Sequence, residues 1–279
     1  MGTTRQAIRQ QVGYDLDELL VGTLTLATPT TARVWELADL QRHPQDLQGS
    51  WLYVTSGALA GSEVRLGQLE PASGTVTLAT PSWRPEGGQP AAGDGFEIHR
   101  LLPATTLNRI IRETVQRLGR VVTHELTIPG SQTTSYDLSP LEQVSEPSQV
   151  LRVRYRRGRE AGGFAYRTAK WHRVEREAGG LVLTVRPYYA NTQDTMLLDC
   201  WEPYDDLASD EEETDCPREW VESAVRVRVY EELMRRGPGE SVQHYMGLLA
   251  DERQRLQRHS YRYGPGVRVR LSMANRGGD

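Results

Sequence analysis

Apolar residues recur at helical spacing in four stretches of the chain and alternate with polar ones through most of the rest. In residues 4–21, Ile8, Val12, Leu16, Leu19 and Leu20 share one helical stripe, and Gly22 is placed to end the helix. Gly13 interrupts that stripe, at a cost of about 1 kcal/mol relative to alanine. A second helix is predicted over residues 106–118, where Thr105 or Thr106 can cap, Leu107, Ile110, Ile111, Val115 and Leu118 form the stripe, and Gly119 follows. Pro217 opens a third at a favourable first-turn position. Trp220, Val221, Ala224, Val225 and Leu233 give it an apolar face, and Arg235-Arg236-Gly237-Pro238 stops it. The fourth starts at Glu240 or Ser241, carries Val242, Tyr245, Met246, Leu248, Leu249 and Leu256, and runs to about His259. The last two form a helical hairpin.

Between the helices the period falls to two. Thr23-Leu24-Thr25-Leu26, Trp51-Leu52-Tyr53-Val54, Glu63-Val64-Arg65-Leu66, Thr75-Val76-Thr77-Leu78 and Phe96-Glu97-Ile98-His99 read as short strands of a small barrel or sandwich. Residues 120–204 repeat the theme without repeating the sequence, with strands at 150–155, 171–174, 181–185 and 195–200. A lone helix cannot bury its own stripe. The economical architecture is therefore α+β: a discontinuous bundle of four helices (residues 4–21, 104–119 and 217–259). Two small β-barrel or sandwich modules are inserted in it (22–103 and 120–216, the latter with an acidic loop), and an extended C-terminal tail follows (260–279). The alternative packs each helix separately on its neighbouring sheet. Within the tail, Val267-Arg268-Val269-Arg270-Leu271-Ser272-Met273 alternates as a strand with no obvious partner, able to join a β region of this chain or to pair with another molecule.

Composition narrows the function classes. A length of 279 residues suggests two domains, which the helix order revises to one interrupted bundle. A net charge of −4 argues against a protein whose main task is gripping nucleic acid or an anionic membrane. Lys170 is the only lysine, so cationic contacts are made by arginine, a bias that fits a GC-rich genome better than thermal adaptation. With 12 Tyr and 6 Trp against 2 Phe, the aromatic set suits half-buried surfaces such as subunit contacts. No apolar run is long enough to span a membrane, and the first residues lack the apolar core of a signal peptide. Cys200 and Cys216 make no disulfide framework, and a reducing interior is the default.

The search for chemistry predicts no catalytic residue, cofactor or metal. The six histidines (His43, His99, His124, His172, His244, His259) have no metal-ligand spacing, no Gly-rich loop carries a phosphate-gripping lysine, and Gly93-Asp94-Gly95 reads as a tight turn. The sharpest charge feature is the acidic run with Asp205, Asp206, Asp210, Glu211, Glu212, Glu213 and Asp215, which lacks the ligand order of a calcium loop. It reads as a solvated lead into the third helix or, at Asp210, Glu211, Glu212 and Glu213, as a docking surface for arginines of a neighbouring subunit. The basic counterpart is the run holding Arg152, Arg154, Arg156 and Arg157.

Several strings together resemble a known family. They are Arg9-Gln10-Gln11-Val12-Gly13 followed by Leu19-Leu20-Val21-Gly22-Thr23, then Gly49-Ser50-Trp51-Leu52-Tyr53-Val54-Thr55-Ser56-Gly57 and Gly93-Asp94-Gly95-Phe96-Glu97-Ile98-His99. Leu107-Asn108-Arg109-Ile110-Ile111 follows, and Tyr230-Glu231-Glu232-Leu233 with Tyr245-Met246-Gly247-Leu248-Leu249 marks the hairpin. The chain so resembles the head–tail connector (adaptor) proteins of the tailed-bacteriophage neck, well over its first 120 residues and loosely in the hairpin. The resemblance implies a virion protein assembled in the host cytoplasm as a ring, a dodecamer, beneath the portal vertex. Its partners would be the portal, a downstream neck or tail protein and double-stranded DNA in passage. It also implies a C-terminal region that engages the portal or a neighbouring adaptor, which makes Tyr261, Tyr263, Arg268, Arg270, Met273 and Arg276 candidate contacts. The competing reading is a peripheral neck or tail protein whose β modules bind host carbohydrate or other virion proteins, with Trp35, Trp51, Trp83 and Trp171 as stacking platforms. A virion-associated hydrolase finds no constellation with supporting spacing.

Overall fold

The computed structural model describes the chain outside residues 1, 29, 35–46, 71, 80–82, 84–87, 128–133, 143, 161–162, 186–194, 238 and 264–279, and the backbone alone at 156–160, 163–167, 195 and 239–241. The described residues form an α+β protein with four α-helices and several sheets whose strand pairs are all antiparallel. Two compact units divide the chain: Met1–Thr114 with Asp206–Gln257, and Val115–Asp205 with Arg258–Asp279.

In the first unit, β1 (Thr3–Thr4) leads into α1 (Arg5–Asp15), whose first turn is capped by Thr4 Oγ1 accepting the Ala7 N–H at 3.1 Å. The helix is shorter than its apolar spacing predicts. Asp17 adopts a left-handed φ of 52°, the Glu18 N–H returns to the Gly13 carbonyl at 3.0 Å, and β2 (Leu19–Thr23) begins. Leu19, Leu20 and Gly22 thus belong to a strand, because apolar positions at 16, 19 and 20 fit either a last helical turn or a strand entry. Gly13 has a packing reason: a Cβ there would lie 2.8 Å from Leu19 Cβ, so its absence lets the helix close onto the strand.

The strands β3 (Leu26–Ala27), β4 (Thr31–Arg33), β5 (Trp51–Val54), β6 (Glu63–Glu70), β7 (Thr75–Leu78) and β8 (Gly95–His99) complete a seven-stranded sheet in the order β2-β8-β5-β6-β7-β4-β3. Its two outer strands are consecutive in the chain. Leu24 still bonds to the Gly93–Asp94 turn, whereas the Thr25 N–H already donates to Arg33, so one segment changes partner at that point and the sheet must curl. No β2–β3 pairing closes it among the described residues, so it is not a closed barrel. Its interior is an apolar core of Leu24, Leu52, Val54, Leu66, Val76, Phe96 and Ile98 with Trp83, whose indole N–H donates to the Thr28 carbonyl at 3.0 Å. The helix α2 (Ala104–Val115) buries Leu107, Ile111 and Val115 completely, and Glu63 caps its start by accepting the Thr105 N–H at 3.3 Å and hydroxyl at 2.6 Å.

The second unit is a two-sheet sandwich. Its strands are β9 (Gly119–Thr127), β10 (Ser135–Asp137), β11 (Val150–Glu160), β12 (Gly163–Thr168), β13 (His172–Glu177), β14 (Gly180–Val185) and β15 (Thr195–Pro203). They form sheets of order β12-β11-β15-β9 and β10-β14-β13. Alternate residues Leu181, Leu183 and Val185 of one sheet share a core with Met196, Leu198 and Cys200 of the other. The nine-residue ladder of β9 on β15, from Gly119↔Pro203 to Thr127↔Thr195, was invisible to the alternation argument. Its core-side row of Arg120, Val122, His124 and Leu126 mixes charge with apolar residues, since opposite residues share a face and Met196, Leu198 and Cys200 point inward.

The chain then re-enters the first unit. The strand β16 (Glu213–Thr214) pairs with β1, and Pro217 is the N-cap of α3 (Arg218–Arg236) rather than a first-turn residue. Val221, Ser223, Val225 and Val229 of α3 are fully buried, a helix enclosed on most sides. Arg226 joins three helices, reaching Asp15 of α1 at 2.5 Å and Glu252 of α4 (Gly239–Tyr263) at 3.1 Å. That last helix includes Tyr261 and Tyr263, assigned above to an extended tail; residues 267–273 lie outside the described residues. Cys200 and Cys216 are free and buried, and burial pushes each thiol up to about 12.

Candidate functional site

The most unusual chemistry of the first unit is a buried ionic junction centred on Arg9. Arg9 lies on the inner side of α1, one turn before Gly13, and its side chain is fully buried. All five guanidinium N–H groups are used. The Nε and one terminal nitrogen bind the two oxygens of Glu97 at 2.6 and 3.0 Å. Both terminal nitrogens bind Asp210, at 2.8 and 2.9 Å, and one also donates to Asn108 Oδ1 at 2.6 Å. The guanidinium stacks 4.6 Å from the centroid of the Tyr53 ring, and the Tyr53 hydroxyl donates to Asp210 at 3.1 Å. A second cation, Arg5, one turn earlier on α1, binds Asp210 at 2.8 Å and donates to the Leu207 carbonyl at 3.1 Å.

Glu97 also accepts from Gln10 at 2.9 Å and lies 3.0 Å from His99 Nε2. On its other side His99 Nδ1 faces Glu18 Oε1 at 3.8 Å, and neither of these two atoms has a hydrogen-bond partner; Glu18 Oε2 instead takes the Leu101 N–H at 2.8 Å. Burial opposes the imidazolium, but the contact with Glu97 and the negative charges of Glu18 and Glu97 outweigh it and raise the His99 pKa. Burial raises the Glu97 pKa, and His99 and Arg9 then bring it down to about 2. Asp210 is likewise lowered, its burial outweighed by Arg9 and Arg5, and Arg9 is held still more firmly protonated than usual. With His99 protonated, three cations face three carboxylates, the condition under which buried charge is tolerable.

Six separate segments meet here: α1, the Glu18 turn, β5, β8, α2 and the acidic segment before β16. Such an arrangement fastens elements together. It offers a ligand no spare donor on Arg9. Sequence reasoning quoted Arg9, Glu97, His99 and Asn108 inside strings read as turns and strands, and missed the junction. Two signals were present: an arginine on the apolar stripe of α1, aligned with Val12 and Leu16, and charged residues alternating with Phe96 and Ile98 on a strand whose last four positions are all buried.

The predicted contacts separate. Asp210 is not a free docking residue, because Arg5, Arg9 and Tyr53 of its own chain occupy it. Glu212 folds back on its own loop, taking the N–H groups of Ala208 and, at 3.0 Å, Ser209. Glu211 and Glu213 are exposed, the latter in β16. Arg152 is exposed on β11, Arg154 pairs with Asp199, and Arg156 and Arg157 continue that strand. Tyr261 is the most exposed large hydrophobic residue described, at 80%, and Tyr263 is half-buried on the same helix. Arg268, Arg270, Met273 and Arg276 lie outside the described residues, as does Trp35. As stacking platforms the other tryptophans differ: Trp83 is in the core, Trp51 is half-buried beneath Arg65, and Trp171 is exposed. No family model matches the chain, and neither a curated protein nor a solved structure matches it.

Proposed function

We propose that this chain is a structural subunit of a tailed-phage neck, a head–tail adaptor that assembles as an oligomeric ring on the portal and lets double-stranded DNA pass. One observation carries the reading: Arg9, Glu97, His99 and Asn108, drawn from three of the strings that resemble adaptor proteins, converge on one buried junction. Residues that fasten a helix to an inserted β module are what such a scaffold requires. On this reading α1, α2, α3 and α4 are the interrupted bundle, with the curled sheet as a barrel-like first insertion and the sandwich as the second. The return of Asp206–Gln257 to the unit begun by Met1–Thr114 supports it. Exposed Arg152 and Tyr261 are then candidate subunit or portal contacts, and an acidic chain suits a conduit that does not hold its duplex.

The test is native mass measurement of the purified chain with and without the portal protein of the same phage. The expected result is a portal complex carrying a ring of about twelve copies. A chain that stays monomeric and never binds portal at micromolar concentrations would overturn the reading.

A further inference from the structure

The curled sheet of the first unit has an edge that bears no charge. Among the described residues β2 pairs with β8 alone, and its five residues, Leu19-Leu20-Val21-Gly22-Thr23, include neither a charged side chain nor a proline. Every other described edge strand longer than two residues carries charge: Arg120 and Glu125 in β9, Asp137 in β10, Arg167 in β12, Arg173 and Glu175 in β13. Charge is what discourages strand addition at an edge, and β2 lacks it. The ladder fixes which of its groups are open. The Leu24 N–H donates to the Asp94 carbonyl at 2.8 Å, so Leu20 and Gly22 bond to β8, while Leu19, Val21 and Thr23 turn N–H and C=O to the other side. Among the described residues no strand meets those outward groups. Val21, at 43%, and Thr23 are exposed there, and Leu20 is only half-buried against the core.

We propose that β2 is a self-pairing edge, to which a second copy of this chain adds its own β2, antiparallel, about a two-fold axis at Val21. In that register Leu19 of each copy faces Thr23 of the other and Val21 faces its own counterpart, so every outward N–H and C=O finds its complement. The exposed Val21 side chains cover each other, and the two Leu20 side chains become diagonal neighbours on the core side. A charged edge paired in this way would set like charges together, whereas β2 has none to oppose. Charge just beyond the strand favours the same occupant. Asp17, before β2, and Arg33, on β4, are both exposed and have no ion pair among the described residues. Thr25, which the two-fold register sets opposite Asp17, donates its N–H to the Arg33 carbonyl at 3.1 Å, so Arg33 of each copy comes beside Asp17 of the other. A ring closes through head-to-tail contacts, so this symmetric contact belongs to the unassembled chain and does not depend on the adaptor reading.

Native mass measurement and sedimentation of the full chain, without portal present, test it. The chain is expected to be dimeric at about 50 µM and to dissociate on roughly hundredfold dilution. Over the same dilution the Val21 and Thr23 amides are expected to lose protection from hydrogen exchange, a readout that needs no variant. Val21→Lys and Val21→Glu each set like charges face to face at an exposed position, and each alone is expected to weaken the dimer about tenfold or more. Mixing the two variants is expected to restore a dimer holding one copy of each, because the axis sets position 21 against itself. A monomer at about 50 µM overturns the proposal, as does Val21 and Thr23 exchange that ignores concentration. A dimer that neither variant weakens overturns it too, and so do variants that stay monomeric when mixed.

Discussion

The first unit and the second each surround a β core of similar apolar residues, yet they solve different problems at its boundary. The sandwich is held by a shared interior running from Leu181, Leu183 and Val185 to Met196, Leu198 and Cys200. Its prominent ion pair, Arg154 with Asp199, sits partly exposed. The curled sheet must instead be fastened to α1, to α2 and to the acidic segment before β16, and there the contact is the charged junction of Arg9, Glu97, His99 and Asp210. An apolar core tolerates exchange of its side chains as long as volume and patterning are kept. A guanidinium with all five donors engaged accepts one geometry only. The sandwich needs cohesion, and the helix–sheet joint needs registration.

The largest expected effect breaks the joint. Arg9→Ala leaves Glu97 and Asp210 buried without their cation and should cost about 3–5 kcal/mol. Leu198→Ala in the sandwich should cost about 2–5 kcal/mol by leaving a cavity. The two cysteines separate these effects, since Cys216 belongs to the first unit and Cys200 to the second. Alkylation followed by mass spectrometry should show Cys216 labelling faster in Arg9→Ala and Cys200 labelling faster in Leu198→Ala. Equal acceleration of both thiols by Arg9→Ala would erase the distinction.

A smaller effect is expected from pH, and it has opposite signs for two residues of the same joint. The folded pKa of His99 is raised above its ordinary 6.5, so its contribution is complete below that value and is lost as pH rises through the folded pKa. The folded pKa of Glu97 is lowered to about 2 from an ordinary 4.5, so its contribution is complete above 4.5 and is lost as pH falls toward 2. Urea unfolding across this range should show the first unit weakening at both ends. His99→Gln should remove the alkaline loss alone; an unchanged alkaline slope would assign it to another group. Gly13→Ala is expected to cost about 1–3 kcal/mol, because the added methyl meets Leu19 in a closed helix–strand contact. At the weak end, Arg109→Ala removes an exposed pair with Glu113 and should change stability by no more than about 0.5 kcal/mol.

The helices were legible where packing follows one face. The stripe of α2 and the Pro217 and Gly237 stops of α3 lie within two or three residues of their predicted places. What ended α1 was a backbone turn at Asp17 and a close approach at Gly13, and neither alters the spacing of Leu16, Leu19 and Leu20. The strands β5, β6, β7 and β8 were legible because Leu52, Val64, Val76 and Ile98 alternate with residues facing outward or into the joint, whereas β2 was read as helix and β4 was missed. The joint was not. Its partners are 88 and 201 positions apart, and a pairing of that span leaves no local pattern. Asp210 carried the least information of all, since within a run of acids nothing marks which one is buried.

That separation matters while the chain is being made. Arg9 leaves the ribosome 201 residues before Asp210 does, roughly 10–40 s earlier at ordinary elongation rates. Through that interval the first helix and the curled sheet exist with a cation that is only partly answered, by Glu97 and Asn108. A nascent first unit can therefore collapse but cannot lock, and the whole of the sandwich is synthesised before the bolt arrives. A chain broken off just short of Asp210 would keep both apolar cores and still lack the closure.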